Sequence, residues 1–97
     1  MAVCISVTFP GATLDTYMAV LDALGMSVGD PGERPKGAVS HVAGADEHGL
    51  HVIDVWESRA DFDAFMQASL APALAKAGVT GQPQVDHFEV ANMMAPE

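Results

Sequence analysis

The sequence predicts an α+β domain in the order strand, helix, strand, strand, helix, strand: a four-stranded antiparallel sheet with two helices on one face. Three observations carry that prediction. Val3, Ile5, Val7 and Phe9 alternate with Cys4, Ser6 and Thr8, the period of a strand. His41 to Met66 reads as a hairpin that passes directly into a capped amphipathic helix through Ser58-Arg59-Ala60-Asp61-Phe62. Between and after these runs stand helical patterns, each bounded by Gly or Pro.

The elements follow in order. Val3 to Phe9 is the first strand, ended by Pro10-Gly11. Thr13 is the N-cap of the first helix and Asp15 meets the positive end of its dipole. Leu14, Tyr17, Met18, Leu21 and Leu24 form its apolar face, and Gly25 stops it. Ser27 through Gly37, rich in Gly, Pro and charge, is a long loop, either folded over a pocket mouth or mobile. Ala38 to Ala43 is a second strand, Gly44 to Gly49 a turn, and Leu50 to Trp56 a third strand rich in Val and Ile. Ser58 and Asp61 have capping-box spacing, and Phe62, Phe65, Met66 and Leu70 form the buried stripe of the second helix. Pro72 predicts a kink, or a short new helix with Pro72 in its first turn; Gly78 closes it. Gln84 to Ala91 is the fourth strand, and Met93-Met94 an interface or tail-packing element.

Residues 1–97 thus read as one domain, small enough that association with a second copy would help it bury surface. With 13 acidic residues against 4 Lys and Arg, the net charge of −9 argues against nucleic acid or an anionic membrane as partner. No apolar run approaches the roughly 20 residues of a membrane span, and the first residues lack the positive region of a signal peptide. The single cysteine, Cys4, fits a reducing cytoplasm and reads as a small interior strand residue.

The helices cover one sheet face, so each strand needs a side assigned. On the first strand the helix side is Val3, Ile5, Val7 and Phe9. On the third, Asp54 is costly to bury in a helix-packed core, which puts Leu50, Val52, Asp54 and Trp56 on the open face. With a turn at 45–48, Val39 lies opposite Asp54 and His41 opposite Val52, so His41 shares that face with Asp54. Phe88 and Val90 then suit the helix side of the fourth strand, leaving His87 on the open side. The expected open face holds Ser6, Thr8, His41, Val52, Asp54, Trp56 and His87. Its partly apolar character marks an interface or binding site, and two such sheets closing face to face would enclose a cavity.

Val55-Trp56-Glu57-Ser58, then Phe62 and Phe65, then Leu74-Ala75-Lys76-Ala77-Gly78 resemble the dimeric α+β barrel superfamily, and within it the antibiotic-biosynthesis-monooxygenase-like (ABM-like) domains. That resemblance implies ferredoxin-like protomers paired sheet to sheet. The superfamily includes cofactor-free quinone-forming monooxygenases, haem-degrading enzymes, cyclases and proteins of no known role. The haem-degrading branch needs a ligating His late in the second helix, where this chain has Lys76, and its helix Trp is replaced by Phe65. Haem is therefore not carried over, and no cofactor is expected.

The main site expectation is the His41–Asp54 pair: a carboxylate beside an imidazole fixes its tautomer and raises its pKa, giving a general base. In a dry cavity it would take a proton from a phenolic or β-dicarbonyl compound, and the carbanion would react with oxygen without a metal. Trp56 is expected as a cavity wall for flat substrates, with His87, Ser6, Thr8 and Val52 completing the binding site. Tyr17 reads as a helix core residue whose hydroxyl reaches solvent. His48 and His51 flank a turn with no third ligand nearby, so no metal site is expected. Two functional readings stand: a homodimeric protein binding a small hydrophobic or aromatic ligand, as a cofactor-independent monooxygenase acting on aromatic or polyketide-like compounds, or a non-catalytic ligand-binding or structural dimer.

Overall fold

A computed structural model describes residues 2–27, 34–79 and 81–94. Four strands, β1 (Val3–Pro10), β2 (Ala38–Asp46), β3 (Gly49–Trp56) and β4 (Gln84–Glu89), form one antiparallel sheet in the order β2-β3-β1-β4. The most regularly alternating strand, β1, is central: Val3, Ile5, Val7 and Phe9 are all buried and Ile5 is fully so. Helix α1 (Leu14–Leu24) and a second helical arm cover that face. The arm comprises α2 (Arg59–Phe65), a π-helical turn (Met66–Leu70) and α3 (Ala71–Lys76). This is the ferredoxin-like βαββαβ arrangement. No helix among the described residues is long and apolar enough to cross a membrane.

The caps lie where the sequence places them. Thr13 accepts from the backbone N–H of Thr16, and Gly25 ends α1 in the left-handed region (φ 75°). Ser58 Oγ accepts from the Asp61 N–H at 3.1 Å. The stripe of α1 is rotated from expectation: Val20 and Leu21 are buried, whereas Leu14 and Met18 are exposed. Pro72 acts one turn earlier than a simple kink. Its ring would press on the Ala68 carbonyl, and its missing N–H would leave that carbonyl unbonded, in a regular helix. The preceding turn widens instead, the Ala71 N–H reaching back five residues to the Met66 carbonyl.

The hairpin differs from expectation in register. Its turn is the two residues Glu47-His48, and β2 runs on to Asp46. His41 therefore lies opposite Asp54 and Ala43 opposite Val52, while an irregularity at Val39 absorbs one extra residue. Asp46 organises the turn. It accepts from the His48 backbone N–H (2.8 Å) and from His51 Nε2 (2.8 Å), contacts that hold its carboxyl below the usual range.

The face assignment of β3 and β4 is reversed. Ile5 pairs with Asp54 and with His87, and Val3 with Trp56 and Glu89, so Asp54, Trp56 and His87 share the helix-covered face with the core of β1. The open face carries Cys4, Ser6, Thr8, His51, Ile53, Val55 and Phe88. Cys4 is accordingly half-buried on that face rather than interior. The physical reason lies in numbers: Leu50 and Trp56 bury almost completely on the inner face, and a carboxylate that finds two hydrogen-bond donors there does not outweigh them.

Candidate functional site

The inner face of the sheet and the helices enclose a cavity of about 490 Å³ whose walls are mostly apolar. It lies inside the protomer, between sheet and helices, not between two sheets as the sequence suggested. Phe9, Leu50, Val52 and Val20 supply walls, and Trp56 closes one side. Trp56 meets Phe62 edge-on (5.8 Å between centroids, 70°) and Phe65 at a tilt (5.4 Å, 36°). Such aromatic pairs contribute about 0.5–1.5 kcal/mol each beyond burial, which holds the wall rigid.

Against this apolar surround runs one hydrogen-bonded chain. Trp56 Nε1–H donates to Asp54 Oδ2 (3.3 Å). Asp54 Oδ1 accepts from His41 Nδ1 (2.6 Å). Tyr17 O–H meets His41 Nε2 at 2.7 Å, its ring nearly parallel to the imidazole (13°). The strands and α1 place each member: cross-strand pairing sets His41 beside Asp54, and Trp56 follows two residues on, on the same face. Tyr17 stands one turn before the buried Val20 and Leu21, so it points at the sheet.

With its proton on Nδ1, a neutral imidazole donates to Asp54 and leaves Nε2 as the acceptor for Tyr17. The hydrogen bond to Asp54 raises the His41 pKa above its ordinary value; partial burial opposes this and the carboxylate charge reinforces it. Burial, and then the charge of Asp54, push the Tyr17 phenol up, so it is a proton donor and not a phenolate at neutral pH. The Asp54 side chain is largely covered (15% accessible) and that of His41 is half open (49%), so the carboxylate orients while the imidazole faces exchange. The arrangement can accept a proton at His41 Nε2, either directly or through the Tyr17 hydroxyl, and stabilise the imidazolium that results.

The remaining expected site residues divide. Val52 lines the cavity beside His41, Asp54 and Trp56. Ser6 and Thr8 do not: both face the opposite side of the sheet, where Thr8 Oγ1 meets His51 Nδ1 at 3.3 Å. His87 stands on the inner face but outside the cavity wall, accepting at Nδ1 from Arg59 Nη1 (3.0 Å). Arg59 is itself held by Asp63 (3.0 Å). Among the cavity residues that escaped the sequence reading are Tyr17, as a polar partner, and Arg34. For Tyr17 the signal was present: a phenol within a stripe that packs on a sheet needs a partner for its hydroxyl. Residues 28–33 of the expected loop over the pocket mouth lie outside the described residues. Among the described residues no group of three or more His, Cys, Asp or Glu could hold a metal ion.

No protein-family profile matches the sequence, and no curated protein is similar to it. Solved structures do match over nearly the whole chain. One is a dimeric ferredoxin-like protein of unknown function from Thermobifida fusca, 19% identical, covering 93% of this chain and 92% of its own, TM-score 0.62. Another is SnoaB, a cofactor-independent oxygenase from Streptomyces nogalater, 14% identical, 99% and 97% covered, TM-score 0.58. A third is a monooxygenase from the gene ActVA-Orf6 of Streptomyces coelicolor in complex with the ligand nanaomycin D, 20% identical, 99% and 92% covered, TM-score 0.56. The chain shares the ferredoxin-like fold of these structures. In that fold the described cavity of the chain sits between sheet and helices, and the polar line Tyr17–His41–Asp54–Trp56 runs along it.

Proposed function

We propose that the chain is a cytoplasmic, homodimeric small-molecule-binding protein that acts as a cofactor-independent monooxygenase on an aromatic or polyketide-like compound. The observation that carries this reading is the Tyr17–His41–Asp54 chain set into an apolar cavity large enough for a fused-ring compound. SnoaB, described as a cofactor-independent oxygenase, and the nanaomycin-binding monooxygenase share the fold, and they support the reaction class by analogy.

In this reading a flat, acidic C–H compound lies against Trp56. His41, oriented by Asp54, takes the proton from a ring CH₂ beside a carbonyl or phenol, through the Tyr17 hydroxyl or after displacing it. The electron-rich carbanion reduces dioxygen and gains a peroxide on that carbon. Loss of water leaves a new carbonyl, so that CH₂ and O₂ become C=O and H₂O. The apolar walls favour the neutral substrate and keep bulk water from quenching the carbanion.

The test is oxygen uptake with a panel of anthrones and dihydroxynaphthalenes. Turnover is expected, and Asp54→Asn and His41→Ala should each lower it by about 10²-fold or more while leaving the circular dichroism unchanged. Ligands that bind without any oxygen uptake would leave a non-catalytic binding protein in place of an enzyme.

A further inference from the structure

The chain has four cationic side chains apart from His: Arg34, Lys36, Arg59 and Lys76. Three of them, Arg34, Lys36 and Lys76, line a single surface groove of about 660 Å³ between the end of α1, the 34–36 segment and the second helical arm. No Asp or Glu among the described residues lines that groove. Among the described residues none of the three cations makes an ion pair, whereas Arg59 pairs with Asp63. The Lys and Arg side chains outside ion pairs thus gather, among the described residues, in one place.

The groove adjoins the cavity: Leu24, Met26, Arg34, Pro35 and Phe65 line both. The segment that carries Arg34 and Lys36 is pinned to the sheet: the Ala38 N–H donates to the Pro35 carbonyl (3.1 Å) and the Glu57 N–H to the Gly37 carbonyl (2.8 Å). The two spaces differ in chemistry. The cavity is mostly apolar and carries the Tyr17–His41–Asp54 hydrogen-bonding line, while the groove is polar and positive.

We propose that the ligand is an amphipathic carboxylic acid: a flat ring system in the cavity against Trp56, and a carboxylate on a short arm that reaches past Arg34 into the groove toward Lys36 and Lys76. This rests on the cavity being the ligand site, and it adds the charge and shape of the compound. The cations also attract such an anion against the net charge of the chain, because a local field in a groove outweighs distant, screened carboxylates.

The test is calorimetric binding of a naphthyl-alkanoate series, with arms of increasing length, each acid beside its neutral amide. At low ionic strength the acid of fitting length should bind about five- to tenfold more tightly than its amide. That preference should fade with added salt and disappear in Arg34→Gln/Lys36→Gln/Lys76→Gln. Equal affinity of acid and amide at every length overturns the carboxylate arm and leaves the cavity reading standing. An acid preference that survives in the triple variant, or that ignores salt, also overturns it; the cations then serve only the carbonyl ends of the helices. If neither acid nor amide binds, both readings fall.

Discussion

Asp54 governs the residue scale. Among the described residues it is the only acid on the cavity wall, and it fixes both neighbours: it accepts from Trp56 on the buried side and from His41 on the open side. Asp54→Asn removes the charge and the stronger acceptor from His41 while burial, which lowers an imidazole pKa, remains. The titration midpoint of His41, followed by NMR at the ring Cε1, should therefore fall to or below about 6.5, the ordinary histidine value. The same pair links stability to pH. The folded-state pKa of His41 is raised, so the stabilisation from its imidazolium is fully present below about pH 6.5 and is lost as the pH rises through the folded value. Urea unfolding of His41→Gln against the parent should show the parent's advantage shrinking from the acid to the alkaline side of that value. Tyr17→Phe keeps the ring against the imidazole but removes its hydroxyl. We expect little change in stability, about 1 kcal/mol or less, and a changed pH profile of any turnover if the phenol relays the proton.

At the scale of elements, the hairpin shows how much could be read from the chain alone. Strand order, both helix caps, and the His41–Asp54 neighbourhood were legible, because period, capping chemistry and cross-strand pairing are local. The side on which Asp54 lies was not, because it depends on long-range pairing. Asp54 looked too polar for the inner face when considered alone. Weighed with Leu50, Val52 and Trp56 on the same side, it is the exception in an apolar set, and the partners that make it tolerable come from β2 and from Trp56 itself. A one-residue change of parity moves every side chain, so His41, Val52, Asp54, Trp56, His87 and the cavity were misplaced together, and Ser6 and Thr8, which do stand on the open face, are parted from them. The tight turn has its own requirement. Gly49 sits at φ 140°, and a Cβ there would stand 2.3 Å from the Phe9 carbonyl oxygen. Gly49→Ala should cost about 2 kcal/mol or more in urea unfolding, from backbone strain and the forced separation of β1 and β3. A cost near zero would show that the hairpin yields without resistance. Ser58→Ala, which removes the acceptor for the Asp61 N–H, is expected to cost about 1 kcal/mol by the same measurement.

For the whole molecule the decisive feature is the open face of the sheet. Val42 (66% exposed), Ile53 (47%) and Phe88 (61%) stand on it, with Val55 and Cys4 between them. An exposed apolar sheet face of this kind calls for a cover. The accessible surface of 6410 Å² exceeds the roughly 5,300 Å² expected of a compact monomer of this mass. The surplus is comparable to the roughly 800 Å² that one partner contributes to an ordinary interface. In the homodimeric reading proposed above, a second copy of the chain is that cover. Ile53→Lys/Phe88→Lys alters side chains that are solvent-exposed in the isolated protomer, so the fold should persist by circular dichroism. Sedimentation should change from dimer to monomer. Salt supplies an independent check. Each copy carries a net charge of −9, and none of the Lys and Arg residues lies in a strand, so association through the open face works against long-range repulsion rather than through Lys or Arg ion pairs. Added sodium chloride should therefore tighten the dimer. A dimer that weakens with salt would have to be held by charged contacts and would place the interface on some other surface.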